Sequence, residues 1–136
     1  MKILGFFFVL FSINSYAVDS LEGSWSSRTG TLCESSGEVI ERWESLTFKN
    51  ENKYTQFFSF SFPGNICLGS YTGDYTKVEN GIIFGIAVGY VGCNGKRESI
   101  EIDQRKASYT LEGDDLIITV PSENCGFLKT IYKKVH

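Results

Sequence analysis

The sequence has one histidine, and it is the last residue, His136. That excludes most acid–base and nucleophilic triads, which need a positioned imidazole. It also removes the commonest metal ligand. The only methionine is Met1, and the only prolines are Pro63 and Pro121. Positive charge is not in excess: 13 Lys and Arg against 16 Asp and Glu leave a net charge of −3. A chain of this sign lacks the basic face that nucleic acid or an anionic membrane requires. No glycine-rich stretch carries the lysine and helix start of a phosphate loop. Acidic pairs such as Glu41 with Glu44, or Asp114 with Asp115, are glycosidase candidates by number only. No catalytic residue, metal site or cofactor is therefore expected. What is present is 136 residues, enough for one domain, with 42% hydrophobic residues, too many for a disordered tail.

The N-terminus reads as a secretory signal peptide over residues 1–17. Lys2 supplies a charge, Ile3 to Phe11 an apolar run too short to span a bilayer, and Ser15-Tyr16-Ala17 a small-x-small cleavage site. Residues 18–136 then form a single exported domain, secreted to the periplasm or the exterior, with no membrane span of its own. In an oxidising compartment its four cysteines, Cys33, Cys67, Cys93 and Cys125, are expected to form two disulfides. Their wide spacing does not suit zinc, which takes close ligand pairs.

Polar and apolar residues alternate along most of the domain, the signature of strands. Tyr54, Phe58, Phe60 and Phe62 share one parity; Tyr71 and Tyr75 share a face with Gly69 and Gly73. Ile82, Phe84, Ile86, Val88 and Tyr90 read as one large-residue face, backed by Gly85, Ala87 and Gly89, which would let neighbours approach closely. Glu38 to Ser45 fits a short helix or, with Trp43, Leu46 and Phe48, a bulged strand. Phe57 falls on the polar parity and is a candidate exposed anchor.

Turn residues at Glu34–Gly37, Asn50–Asn52, Pro63–Asn65, Glu79–Gly81, Asn94-Gly95, Gly113–Asp115 and Pro121–Asn124 divide the domain into eight strands. They cover roughly 24–33, 39–49, 53–62, 67–78, 82–92, 97–112, 115–121 and 126–135. The sixth changes its inward parity between Ile102 and Tyr109, so a bulge is expected there. Short connections make neighbours antiparallel, and closing the meander removes its open edges. The expected fold is all-β: an eight-stranded antiparallel up-and-down barrel, with a two-sheet sandwich as alternative. Tracing it up and down brings all four cysteines to one end. The expected bridges are Cys33–Cys67 and Cys93–Cys125, which join consecutive loops; Cys33–Cys125 would close a much longer loop.

The domain opens Leu21-Glu22-Gly23-Ser24-Trp25. Gly23-x-Trp25 on the first strand of an eight-strand barrel resembles the lipocalin and calycin signature. The rhythm of Leu46-Thr47-Phe48, Tyr71-Thr72-Gly73-Asp74-Tyr75, Tyr109 to Leu116 and Ile131 to Val135 is similar to small secreted bacterial lipocalin-like proteins. The resemblance implies that Trp25 plugs the closed end, opposite the cysteines. Lys133 or Lys134 stands where the family places an arginine against that tryptophan. It implies a carrier or sensor of a small apolar ligand held inside the barrel; with no catalytic residues in view, a non-enzymatic binding protein is expected, and a monomer. Tyr54, Phe58, Phe60, Tyr71 and Tyr75 are the candidate lining. The alternative is an inhibitor of an exported or foreign protein, such as a protease or lysozyme, acting through the loops at the cysteine end.

Overall fold

The computed structural model describes residues 20–136; the expected signal peptide lies outside the described residues. Eleven strands follow in order: β1 (Gly23–Ser27), β2 (Thr31–Cys33), β3 (Val39–Ile40), β4 (Trp43–Lys49), β5 (Lys53–Phe62), β6 (Asn65–Val78), β7 (Gly81–Cys93), β8 (Lys96–Ile102), β9 (Arg105–Glu112), β10 (Asp115–Ser122) and β11 (Gly126–Val135). They are the eight expected strands, with the first, second and sixth each interrupted once. The only helical element among the described residues is a 3-10 turn, Asn50–Asn52. The segment from Glu38 to Ser45 is extended, not helical.

Strands β1-β4-β5-β6-β7-β9-β10-β11 pair antiparallel in that order, and β11 pairs with β1, so eight strands close a barrel. The inward-alternating Leu46, Phe48, Tyr54, Ile82 and Leu116, with Leu21 from the segment before β1, fill its lower half and are almost wholly buried. Each such side chain contributes roughly 1.5–3 kcal/mol by leaving water. Trp25 sits in this half, 2% exposed. Its indole N–H donates to the Leu21 carbonyl at 2.9 Å. The Lys134 ammonium lies 4.5 Å from its ring centre, a cation–π contact. Trp25 is thus buried, as expected, with a lysine over it. This arrangement is compatible with a lipocalin-like barrel.

The expected disulfide pattern is corrected. The bridges are Cys33–Cys125 and Cys67–Cys93, with Cα separations of 5.0 and 4.2 Å, and no cysteine is free. Loop length describes the unfolded chain. In the closed barrel the first and last strands are neighbours whatever their separation in sequence. Leu128 pairs with Cys33, which brings Cys125 alongside, and Cys67 lies directly opposite Cys93 on β6 and β7. All four cysteines do share one end.

A second correction concerns β7. Gly73 pairs with Ala87 but Tyr75 with Phe84, so β7 carries an extra residue at Gly85-Ile86. Such a bulge reverses which side chains point inward. Ile82 and Phe84 are therefore core residues, whereas Ile86, Val88 and Tyr90 stand outside, 60%, 60% and 48% exposed. The sixth strand is interrupted beside it, at Asp103-Gln104, and its inward side passes from Ile102 to Arg105 and Ala107. The parity change expected there is present. Yet the pairing with β7 keeps one register across it, Ile102 with Ala87 and Arg105 with Phe84. Close approach of backbone is real at Gly89: a Cβ there would meet the Ser70 carbonyl oxygen at 1.9 Å.

Candidate functional site

At the cysteine end the barrel interior opens into a cavity of about 220 Å³. Its apolar wall includes Leu46, Phe84, Ile118, Val120 and Leu128; its polar wall is Arg42, Glu44, Gln56, Tyr71, Arg105 and Tyr132. Glu44 on β4 and Gln56 on β5 lie in phase with the inward-pointing Leu46, Phe48 and Tyr54, so they are core positions occupied by polar residues. Tyr71, Arg105 and Tyr132 come from β6, β9 and β11, and Arg42 immediately precedes β4.

Glu44 is 3% exposed, and a buried carboxylate must be paired. It forms an ion pair with Arg42, accepts from Gln56 Nε2 at 2.8 Å, and accepts from the Tyr132 hydroxyl at 3.1 Å. Tyr71 donates to Gln56 Oε1 at 2.5 Å. Arg105 then reaches the chain of groups from the opposite wall. It donates to the Tyr54 hydroxyl at 3.2 Å and, at the limit of hydrogen-bonding distance, 3.5 Å, to that of Tyr71. Its guanidinium also lies 5.2 Å from the Phe84 ring centre and 5.4 Å from that of Tyr71. Among the described residues no carboxylate pairs with Arg105, and its Nε is buried without a partner. Arg42 Nε is likewise unpartnered. The wall thus holds two guanidinium groups against one carboxylate.

Burial raises the pKa of Tyr132 well above that of a free phenol, and the Glu44 carboxylate it donates to raises it further. Burial also raises Tyr71, with Arg105 acting in the opposite sense, and raises Tyr75. For an acid whose folded pKa is raised, the unfolded chain ionises first. The stabilisation is complete below about pH 10, the ordinary phenol value, and is lost as pH rises through the folded values. Phenolate absorbance during an alkaline titration should show these tyrosines ionising together with loss of near-ultraviolet circular dichroism. Smooth ionisation near the ordinary value with the fold intact would count against the buried network.

Of the residues expected to line a ligand site, only Tyr71 borders this cavity. Tyr54 is fully buried below Arg105, and its ring packs edge-on against Phe84. Tyr75 packs edge-on against Phe48 at 4.9 Å, within the filled half. Phe58 is half-buried, stacked on Phe60 at 6.1 Å and lying over Gly69, where a Cβ would strike its ring. Arg42, Glu44, Gln56 and Arg105 join the lining beyond the residues that the sequence pointed to. Parity is the signal for Glu44 and Gln56, which sit in phase with buried apolar neighbours; Arg42 precedes its strand and Arg105 follows a strand interruption.

The glycosidase-type pairs do not form. Glu41 is exposed while Glu44 is committed to Arg42. Asp115 pairs with Lys133, and Asp114 faces His136. Among the described residues no group of His, Cys, Asp and Glu is arranged to hold a metal. No described helix is long and apolar enough to cross a membrane.

The outer face carries a second feature. Phe57 is exposed, as its parity implied, and with Leu68, Tyr90 and Arg97 borders a shallow groove of about 430 Å³. Arg97 lies over the Tyr90 ring at 4.0 Å. No protein-family model matches the chain, and no curated protein matches it either.

Proposed function

We propose that this is an exported, non-enzymatic binding protein whose barrel mouth takes a small molecule with an acid group and a short apolar body. The observation that carries this reading is Arg105. A guanidinium is always charged and offers five donors. Here it spends its hydrogen bonds on two phenol oxygens, faces a cavity, and has no described carboxylate to neutralise it. A carboxylate placed in the cavity would supply that charge, and Leu46, Ile118, Val120 and Leu128 would cover the apolar part. In this reading the small apolar ligand expected from the sequence becomes one that also carries an acid group. The volume sets the size. It exceeds the ~150 Å³ that holds benzene and falls below the ~300 Å³ at which pockets for larger ligands begin. A ring or a short acyl chain fits, and a long-chain fatty acid does not. Two disulfides suit an oxidising compartment and support export.

Calorimetric titration with benzoate and octanoate, against benzyl alcohol and octanol, tests the reading. The acids should bind saturably and the alcohols more weakly. Arg105→Met should weaken the acids by about 10- to 100-fold, the worth of a charge-assisted hydrogen bond, and leave the alcohols unchanged. Equal binding of acid and alcohol, or no binding of either, would remove the anion-site reading. The exposed groove at Phe57, Leu68 and Tyr90 favours the second reading, a protein-binding barrel. Its contact surface would be the outer sheet face, not the loops at the cysteine end.

A further inference from the structure

We infer that the protein associates with a second copy of itself through the free edge of β8, the two strands running antiparallel about Ser99. Strand β8 pairs with β7 and, among the described residues, with no other strand. The register of β9 against β10, carried upward, places Ser122 opposite Arg105. Strand β10 therefore ends where β8 begins, and β8 stands beyond the closed ring with one side open. Barrel closure removes the edges of the ring itself; β8, like the two-residue β3, lies outside it, and β8 is the longer of the two.

The groups presented on that edge follow from the neighbouring disulfide. The 4.2 Å Cα separation of Cys67 and Cys93 marks a narrow, non-hydrogen-bonded pair of an antiparallel ladder. Cys93 thus turns its N–H and C=O toward β8, and the two-residue Asn94-Gly95 turn, both residues at positive φ, closes the hairpin at Cys93 and Lys96. Alternation then gives Arg97, Ser99 and Glu101 the N–H and C=O groups that face away from β7. These three side chains stand on the outer face of the sheet.

An incoming antiparallel strand must present its own outward groups to these three. For a second β8 few registers do so. Registers centred on Arg97 or Glu101 place like charges opposite each other, and those centred between them leave a residue unpaired. Centring on Ser99 uses all three residues of each strand and sets Arg97 against the partner's Glu101 twice. Opposite charges directly across a ladder stabilise it and like charges oppose it. The same charges discourage unrelated strands from the edge. The edge is therefore closed to most partners and complementary to itself.

Sedimentation equilibrium of the oxidised protein without its signal peptide, from about 1 µM to about 1 mM, covers the affinities of weak to moderate contacts. The expected species is a reversible dimer. Glu101→Arg, which sets arginine against arginine, should weaken it at least tenfold, and so should Arg97→Glu. The double variant Arg97→Glu/Glu101→Arg should restore association. Near-ultraviolet circular dichroism verifies that each variant is folded, and the restored double variant excludes a folding defect as the cause. A monomer throughout the range overturns the inference. So does a dimer indifferent to the single reversals, which would point to the apolar face around Phe57 and Tyr90.

Discussion

Replacing Cys33 and Cys125 together by serine is expected to destabilise the protein by about 4.6 kcal/mol, and replacing Cys67 and Cys93 by about 3.5 kcal/mol, on the chain-entropy estimate for their separations. The bridges enclose segments with sequence separations of 92 and 26. The longer cross-link removes more conformations from the unfolded chain. A domain of this size has a net stability of only about 5–15 kcal/mol, so the first variant is expected to lose roughly a third or more of its margin. The location adds to the effect. Cys33–Cys125 ties the short β2 to the turn before β11, where Glu34 and Ser35 donate backbone hydrogen bonds to the Phe127 and Cys125 carbonyls. Without the bridge those bonds must hold the end of the barrel alone. Urea unfolding of the two double-serine variants provides the comparison. A larger loss for the Cys67–Cys93 pair would mean that native-state contacts, not loop closure, set the ranking.

Glu44→Ala is expected to cost about 3–5 kcal/mol, as loss of one partner from a buried ion pair does. Three groups lose their acceptor at once: Arg42, Gln56 Nε2 and the Tyr132 hydroxyl. Arg42 is about one-third exposed and can turn to water, which favours the lower end of that range. Tyr132 is buried and cannot. The control is Asp74→Ala, which removes the solvent-exposed Lys53–Asp74 pair and should change stability by about 1 kcal/mol or less. Chemical denaturation of both variants measures the contrast. Equal effects would mean that the carboxylate at position 44 is held no more tightly than a surface charge.

The strands were legible because alternation and turn chemistry are local. Asn94-Gly95 and Gly113-Asp114 announce hairpins whatever surrounds them. The disulfide pairing was not, because it depends on barrel closure, which no local window contains. The position of Ile86, Val88 and Tyr90 was hidden for a related reason. A single extra residue at Gly85-Ile86 reverses every side chain above it, and nothing in an apolar run marks where the reversal occurs. The polar cavity wall was half legible. Glu44 and Gln56 lie in phase with Leu46 and Tyr54, and a charge on an apolar parity is a readable anomaly. Arg105 follows the interruption of its strand, so its phase could not be carried over from Ile100 and Ile102.

The bridge between Cys33 and Cys125 also determines what a protease can do to this protein. The turns at Asn50–Asn52, Pro63-Gly64, Glu79-Asn80, Asn94-Gly95 and Gly113-Asp114 all lie between the two cysteines. A single cut in any of them yields two pieces that remain one covalent molecule, each piece contributing adjacent strands to the same ring. Exposed turns are the preferred sites of cleavage. In an oxidising environment the barrel can therefore be nicked without being taken apart, and its fragments separate only after reduction.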